Sequence, residues 1–242
     1  MTTKRHGIEV GGMPVEIVRK DIKNLHLAVY PPEGTVRVAA PLRVNDDAVR
    51  LAVISRLGWI RRRQTGYKRQ DRQSPREFVT GESHFFQGKR YRLNVIYHHG
   101  SARVVARNRR RIDLYIREGA SVLQRARAFS AWYRAHLKQK VPPLIAEWAR
   151  EMDCQQPDWG IKDMKTRWGT CDSDKRRILV NLELAKKPVR CLEYIIVHEM
   201  IHLMERHHNE RFSSLMGQFL PQWRLYRDQL NSYPLRHENW EY

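Results

Sequence analysis

The stretch Ile195-Ile196-Val197-His198-Glu199-Met200-Ile201-His202-Leu203 decides how the second half of the chain folds. On an α-helix, residues four apart share one face. His198 and His202 can therefore present both imidazoles to a single metal ion. Glu199 lies one position along, beside that ion but not bound to it. The pattern His-Glu-x-x-His suits Zn²⁺, with the carboxylate placed to take a proton from a zinc-bound water. Ile195, Ile196, Met200, Ile201 and Leu203 make the helix apolar, as a buried active-site helix requires. A catalytic zinc site takes three protein ligands and leaves a fourth position open. His207 and His208 both follow closely. Asn209 can end or cap a helix, so the chain can turn back there. Spacing alone does not choose between the two histidines, and Glu205 and Glu210 remain carboxylate candidates.

Working outward, Pro188 suits the first turn of this helix. Upstream, strands are expected near Trp159 to Met164 and Ile178 to Leu184. A long helix is expected over about 120 to 152, and Pro142-Pro143 should kink or split it. Downstream, Phe212, Leu215, Phe219, Leu225, Tyr226 and Leu230 recur at helical spacing, interrupted by Pro221. The first hundred residues read as short strands instead. Val15 to Val18, Leu25 to Tyr30 and Thr35 to Ala40 alternate, with a turn at Pro31-Pro32-Glu33-Gly34. Asn45 or Asp46 can cap one helix over about 47 to 70. Strands return over Glu82 to Val95, turning at Gln87-Gly88, and then at Ala102 to Arg107 and Arg111 to Ile116. The expected fold is α+β. A β-rich basic module over residues 1–118 precedes a compact catalytic domain over 119–242 built on the His-Glu-x-x-His helix, with the boundary at Glu118-Gly119.

Composition narrows the function classes. The 242 residues are 41% hydrophobic, enough for a real core, so wholesale disorder is excluded. No apolar run approaches the roughly 18 residues of a membrane span. The N-terminus has no apolar signal segment, so a soluble cytoplasmic protein is expected. Cys154, Cys171 and Cys191 are too few and too scattered for a disulfide framework. Lys and Arg number 45 against 26 Asp and Glu, a net charge of +19. Residues 1–117 hold 25 basic and 10 acidic side chains, so +15 of that charge lies in the first half. Such asymmetry points to a polyanionic partner, with DNA the natural candidate. Arg61-Arg62-Arg63 and Arg109-Arg110-Arg111 are the phosphate-binding candidates, and Trp59, Tyr67 and Tyr91 could stack on bases.

Residues 164 to 212 resemble the YgjP-like metallopeptidases, relatives of the SprT and Spartan proteases. The resemblance rests on Thr166-Arg167-Trp168-Gly169-Thr170-Cys171, on Ile178 to Leu184 with Asn181, on Ile196-Val197-His198-Glu199, and on His208-Asn209-Glu210-Arg211-Phe212. Gly34 to Pro41 and Gly88-Lys89-Arg90-Tyr91 are similar too. The departures are small: Thr166 and Thr170 stand for Ser, and Met200-Ile201 for Leu-Ala. The resemblance implies a zincin catalytic domain behind β-rich structure. It selects His208, six residues after His202, as the third ligand of one Zn²⁺ per chain. It also implies hydrolysis of a protein or peptide substrate by a Glu199-activated water. In zincins an edge strand above the active-site helix receives the peptide. Trp168 to Thr170 or Ile178 to Asn181 is the expected edge, with Arg167, Trp168 and Asn181 beside the substrate. Arg211 and Arg167 are candidate oxyanion donors. SprT and Spartan relatives digest proteins crosslinked to DNA, which accords with the basic first half.

Two other readings follow from the same residues. One is a nucleic-acid-binding module with a structural zinc, whose shell Cys171 or His207 would have to close. The other is a zinc hydrolase of a non-peptide bond.

Overall fold

The computed structural model describes residues 4–30, 33–69, 76–108, 110–164 and 167–232. The chain forms a mixed α+β fold with three small sheets and six α-helices among those residues. Contacts divide it into two compact units, one built on residues up to 75 and one on 76–232.

In the first unit, β1 (Lys4–Val10) and β2 (Met13–Lys20) form a hairpin through Gly11-Gly12. Both glycines have positive φ, the conformation a tight turn asks of glycine. β4 (Thr35–Pro41) pairs parallel with β2 and antiparallel with β3 (His26–Tyr30), giving the order β1-β2-β4-β3. Alternation places Val15 and Ile17, then Val36, Val38 and Ala40, on one buried face. Val49 and Val53 of α1 (Asp46–Ile54) and Ile60 of α2 (Leu57–Arg69) complete this core. Burying an Ile such as Ile17 or Ile60 is worth about 2 kcal/mol. Asn45 caps α1, its Oδ1 accepting from Ala48 N at 2.9 Å. The expected single helix is thus two. The ladder tightens where Arg56 N bonds to Val53 O at 3.0 Å, and the Ser55 hydroxyl turns back onto Ala52 O.

The second unit opens with β5 (Ser83–Phe86), β6 (Lys89–Tyr97), β7 (Arg103–Ala106) and β8 (Arg111–Ile116), ordered β5-β6-β8-β7. Helix α3 (Val122–Glu151) starts at a capping box between Ser121 and Gln124. It runs through Pro142-Pro143 without splitting. Phe129, Tyr133, Leu137, Val141, Ile145 and Ala149 bury one face at a constant spacing of four, and that packing carries the helix past two missing N–H donors. The Tyr133 hydroxyl donates to Phe85 O at 2.8 Å, and Arg134 Nη1 donates to Ile161 O at 2.6 Å. At the hairpin turn, Gln87 N and Gly88 N donate to Ala185 O and Lys186 O, both at 3.0 Å. These bonds bind the β5–β8 sheet to the elements that follow. The boundary expected at Glu118-Gly119 therefore falls inside the second compact unit, whose division from the first is at 75/76.

A three-stranded sheet comes next, with β9 (Asp158–Lys162), β10 (Gly169–Asp172) and β11 (Arg177–Asn181) in the order β10-β11-β9. A 3-10 turn over Leu182–Lys186 leads into α4 (Val189–Ile201), capped by Pro188. Then come α5 (Glu210–Phe219) and α6 (Trp223–Ser232), separated at Leu220 before Pro221. Among the described residues no helix is long and apolar enough to cross a membrane.

Candidate metal centre

Helix α4 carries the site because its other faces are buried. Leu192, Ile196, Val197, Met200 and Ile201 are each at most 2% exposed, which fixes the rotation of the helix and turns His198 toward the open side. His202 stands at the C-cap, its N–H bonded to His198 O at 3.4 Å. Tight turns at Leu203, Met204 and Glu205 then reverse the chain. Asn209 restarts it as the N-cap of α5, its Oδ1 accepting from Phe212 N at 2.9 Å. The reversal returns His208 to the helix, with its Nε2 at 3.0 Å from His198 Nε2.

Three imidazoles, those of His198, His202 and His208, hold donor nitrogens all within 4.8 Å of one another. Buried Phe212 backs all three rings, with centroid distances of 4.9, 4.8 and 4.6 Å. Two imidazole nitrogens facing at 3.0 Å must share a proton or a common cation. His202 Nδ1 lies 3.0 Å from Glu205 O. As a donor there, Nδ1 carries the proton and leaves Nε2 as a lone-pair ligand. Burial and the two neighbouring rings push His198 down to about 3. Burial lowers His208 as well. Neutral imidazole is the form a metal needs. The donor set therefore fits a cation of the Zn²⁺ class. Neither Cys171 nor His207 joins the cluster. His207 is exposed, and its N–H goes to Glu205 Oε1 at 3.1 Å.

Glu199 is only 5% exposed, and burial raises its carboxyl to about 8 against the pull of Arg167. It lies against Gly169 of β10. A Cβ on Gly169 would fall 2.5 Å from Glu199 Oε1 and 2.7 Å from its Cγ. The cleft has a volume of about 610 Å³. His198 and Glu199 line it together with Trp168 to Cys171 and with Arg227 and Leu230 of α6.

A family model for the YgjP-like metallopeptidase domain matches residues 23–233. The chain belongs to the YgjP-like metallopeptidase family. No curated protein shows a significant match to it.

The other expected site residues of this YgjP-like chain divide into three groups. Arg167 and Trp168 line the cleft; Arg167 is exposed, and the Trp168 ring lies 5.5 Å from Lys187 Nζ. Burial pushes that ammonium down to about 8. Asn181, expected beside the substrate, is buried and is not among the cleft-lining residues. Its Nδ2 donates to Met164 O and Arg167 O, both at 2.7 Å. Its Oδ1 accepts from Glu183 N at 3.1 Å, and its own N–H bonds to Trp168 O at 2.9 Å. Asn181 thus ties down the segment that leads to Gly169. Arg211 is exposed, lies outside the cleft lining, and faces Glu205 electrostatically. Thr166 lies outside the described residues.

The phosphate-binding candidates also separate. Arg61, Arg62 and Arg63 are all exposed on α2, with Arg63 5.9 Å from the Trp59 ring. Arg110 is exposed. Arg111 instead joins Arg107 in pairing with buried Asp113, at 3.1 and 2.9 Å, so its charge is already engaged. Tyr91 is buried and offers no stacking face. Arg109 and the side chain of Tyr67 lie outside the described residues.

Sequence spacing missed Gly169, Phe212 and the arginines Arg206 and Arg227. The available signal for Phe212 was its place four residues after His208. Gly169 entered only through the resemblance, because its constraint comes from a side chain thirty positions away.

Proposed function

We propose that the protein is a zinc-dependent endopeptidase with one Zn²⁺ per chain held by His198, His202 and His208. The observation that carries this reading is the convergence of three imidazole donors with a buried carboxylate in one cleft. When bound, the metal supplies Lewis acidity, lowering the pKa of water toward about 7 and polarising the scissile carbonyl. Glu199 takes a proton from the attacking water and passes it to the leaving amine. Gly169 and Asn181 hold that carboxylate and the strand beside it in register. Substrate adds as a strand along β10, the edge of its sheet; β11 is central, between β10 and β9, and has no free edge. Arg167 is the nearer oxyanion donor, since Arg211 does not line the cleft. Three unpaired cysteines accord with a cytoplasmic setting.

Metal content tests the first half of this proposal. Wild type purified gently should hold about one zinc per chain, and His208→Ala less than about a fifth of that. Casein cleavage by the zinc-loaded protein should stop on chelation and return with zinc. Full zinc retention in His208→Ala would remove that residue from the site.

A second element of the proposal is recruitment to nucleic acid, supported by three consecutive exposed arginines on α2. Replacing Arg61, Arg62 and Arg63 by Gln should weaken DNA binding at about 100 mM salt by tenfold or more and flatten its salt dependence. Binding unchanged by the triple substitution would exclude this surface.

A further inference from the structure

We infer that the cleft selects a peptide carrying an anionic side chain, carboxylate or phosphate, beside the scissile bond, and that Arg206 and Arg227 together with Arg167 make that selection. The inference rests on the peptidase reading and names the substrate class for the same site.

Among the described residues three guanidinium groups enter the cleft lining from three separate elements. Arg167 precedes β10, Arg206 lies in the turn after α4, and Arg227 lies on α6. Among the described residues the one carboxylate in the lining is Glu199, which is buried. With Glu199 ionised, the lining still carries two net positive charges. Trp168, Ile195 and Leu230 line the same cleft, and apolar walls of this kind limit water between the guanidinium groups and focus their field.

The acidic neighbours of two of these arginines stand outside the lining. Arg206 pairs with Asp174, and Arg227 with Asp228 at 3.0 Å. The four side chains are 63%, 80%, 45% and 66% exposed, in that order, so both pairs are screened by water and easily exchanged. A carboxylate or phosphate held inside the cleft would meet less screening and more than one guanidinium. A neutral peptide makes no use of this charge, and a lysine-bearing one opposes it.

The test is binding to zinc-loaded Glu199→Gln, which keeps the cleft and removes the proposed base. Four dye-labelled peptides, identical except for a central Glu, phosphoserine, Gln or Lys, are titrated by fluorescence anisotropy. Glu and phosphoserine should bind about tenfold tighter than Gln, with Lys weakest. Adding Arg206→Gln and Arg227→Gln should bring all four within about twofold. Both side chains are well exposed, so these changes leave the fold intact, and zinc content checks that. The Arg61, Arg62 and Arg63 to Gln triple variant should leave the ratios unchanged, which separates the cleft from the basic first unit. Phosphoserine ahead of Glu identifies phosphate as the preferred anion, and the reverse order identifies carboxylate. Equal or undetectable binding of all four peptides, or a preference that survives Arg206→Gln with Arg227→Gln, overturns the inference. Wild-type cleavage of the same peptides separates the two readings. Charge-selective binding without cleavage of any peptide ends the peptidase reading alone. Equal cleavage of the Glu and Gln peptides, with equal binding, ends the selection alone.

Discussion

Glu199→Gln should lower peptide hydrolysis by about 10³-fold while zinc content stays at the wild-type level. The substitution keeps the side-chain length, so it fits the same space against Gly169. It removes the ability to accept and return a proton. General-base catalysis contributes about 10²–10⁴-fold, and here one carboxylate serves both the attacking water and the leaving amine. Glu199 is not among the three clustered donors, so metal retention separates loss of the base from loss of the site. Burial supports the role: it raises the carboxyl above that of a surface glutamate, so the ionised form is the stronger proton acceptor. Hydrolysis within tenfold of wild type by the zinc-loaded variant would assign the proton transfer elsewhere.

The helix-borne part of this site was legible because helical periodicity is a local property. His198, Glu199 and His202 need only one turn of helix, and the apolar residues around them set its buried face. The third donor was not legible from spacing, because the turn over Leu203 to Asn209 has no period. Only the resemblance distinguished His208 from His207, and the structure brings His208 to the cluster. Other misses have the same cause. Val49, Val53, Leu57 and Ile60 keep a helical phase across the break between α1 and α2, so the break at Ser55 was invisible. The strand at β10 was expected only from the resemblance, because Gly-Thr-Cys-Asp has no alternating pattern and its strand character comes from pairing with β11. Pro142-Pro143 signalled a split that packing along α3 overrides. Asn181 was expected beside the substrate, and a sequence does not mark that its side chain also bonds the Met164 and Arg167 carbonyls.

Gly169→Ala tests whether the strand beside the helix is part of the catalytic apparatus. Gly169 does not have the left-handed backbone that usually demands glycine. The constraint is space: an added Cβ would sit 2.5 Å from Glu199 Oε1 and 2.9 Å from its Cδ. Two relaxations are available. The carboxylate can swing away, but it is 95% buried and would leave the position where it meets water and substrate. Alternatively β10 can move outward, straining its register with Val180 and the bonds through which Asn181 holds the preceding segment. Overpacking of this kind costs about 1–3 kcal/mol. A displacement of about 1 Å at a catalytic group can cost about 10²-fold in rate. Hydrolysis by Gly169→Ala should therefore fall about 100-fold with zinc retained, and its melting temperature should drop by a few degrees, about 2–6 °C. That pattern differs from His208→Ala, which loses metal, and from Glu199→Gln, which should melt near wild type. Activity of Gly169→Ala within about threefold of wild type would mean that the Glu199 carboxylate works from a position clear of β10, and that the close contact between them has no part in placing the base.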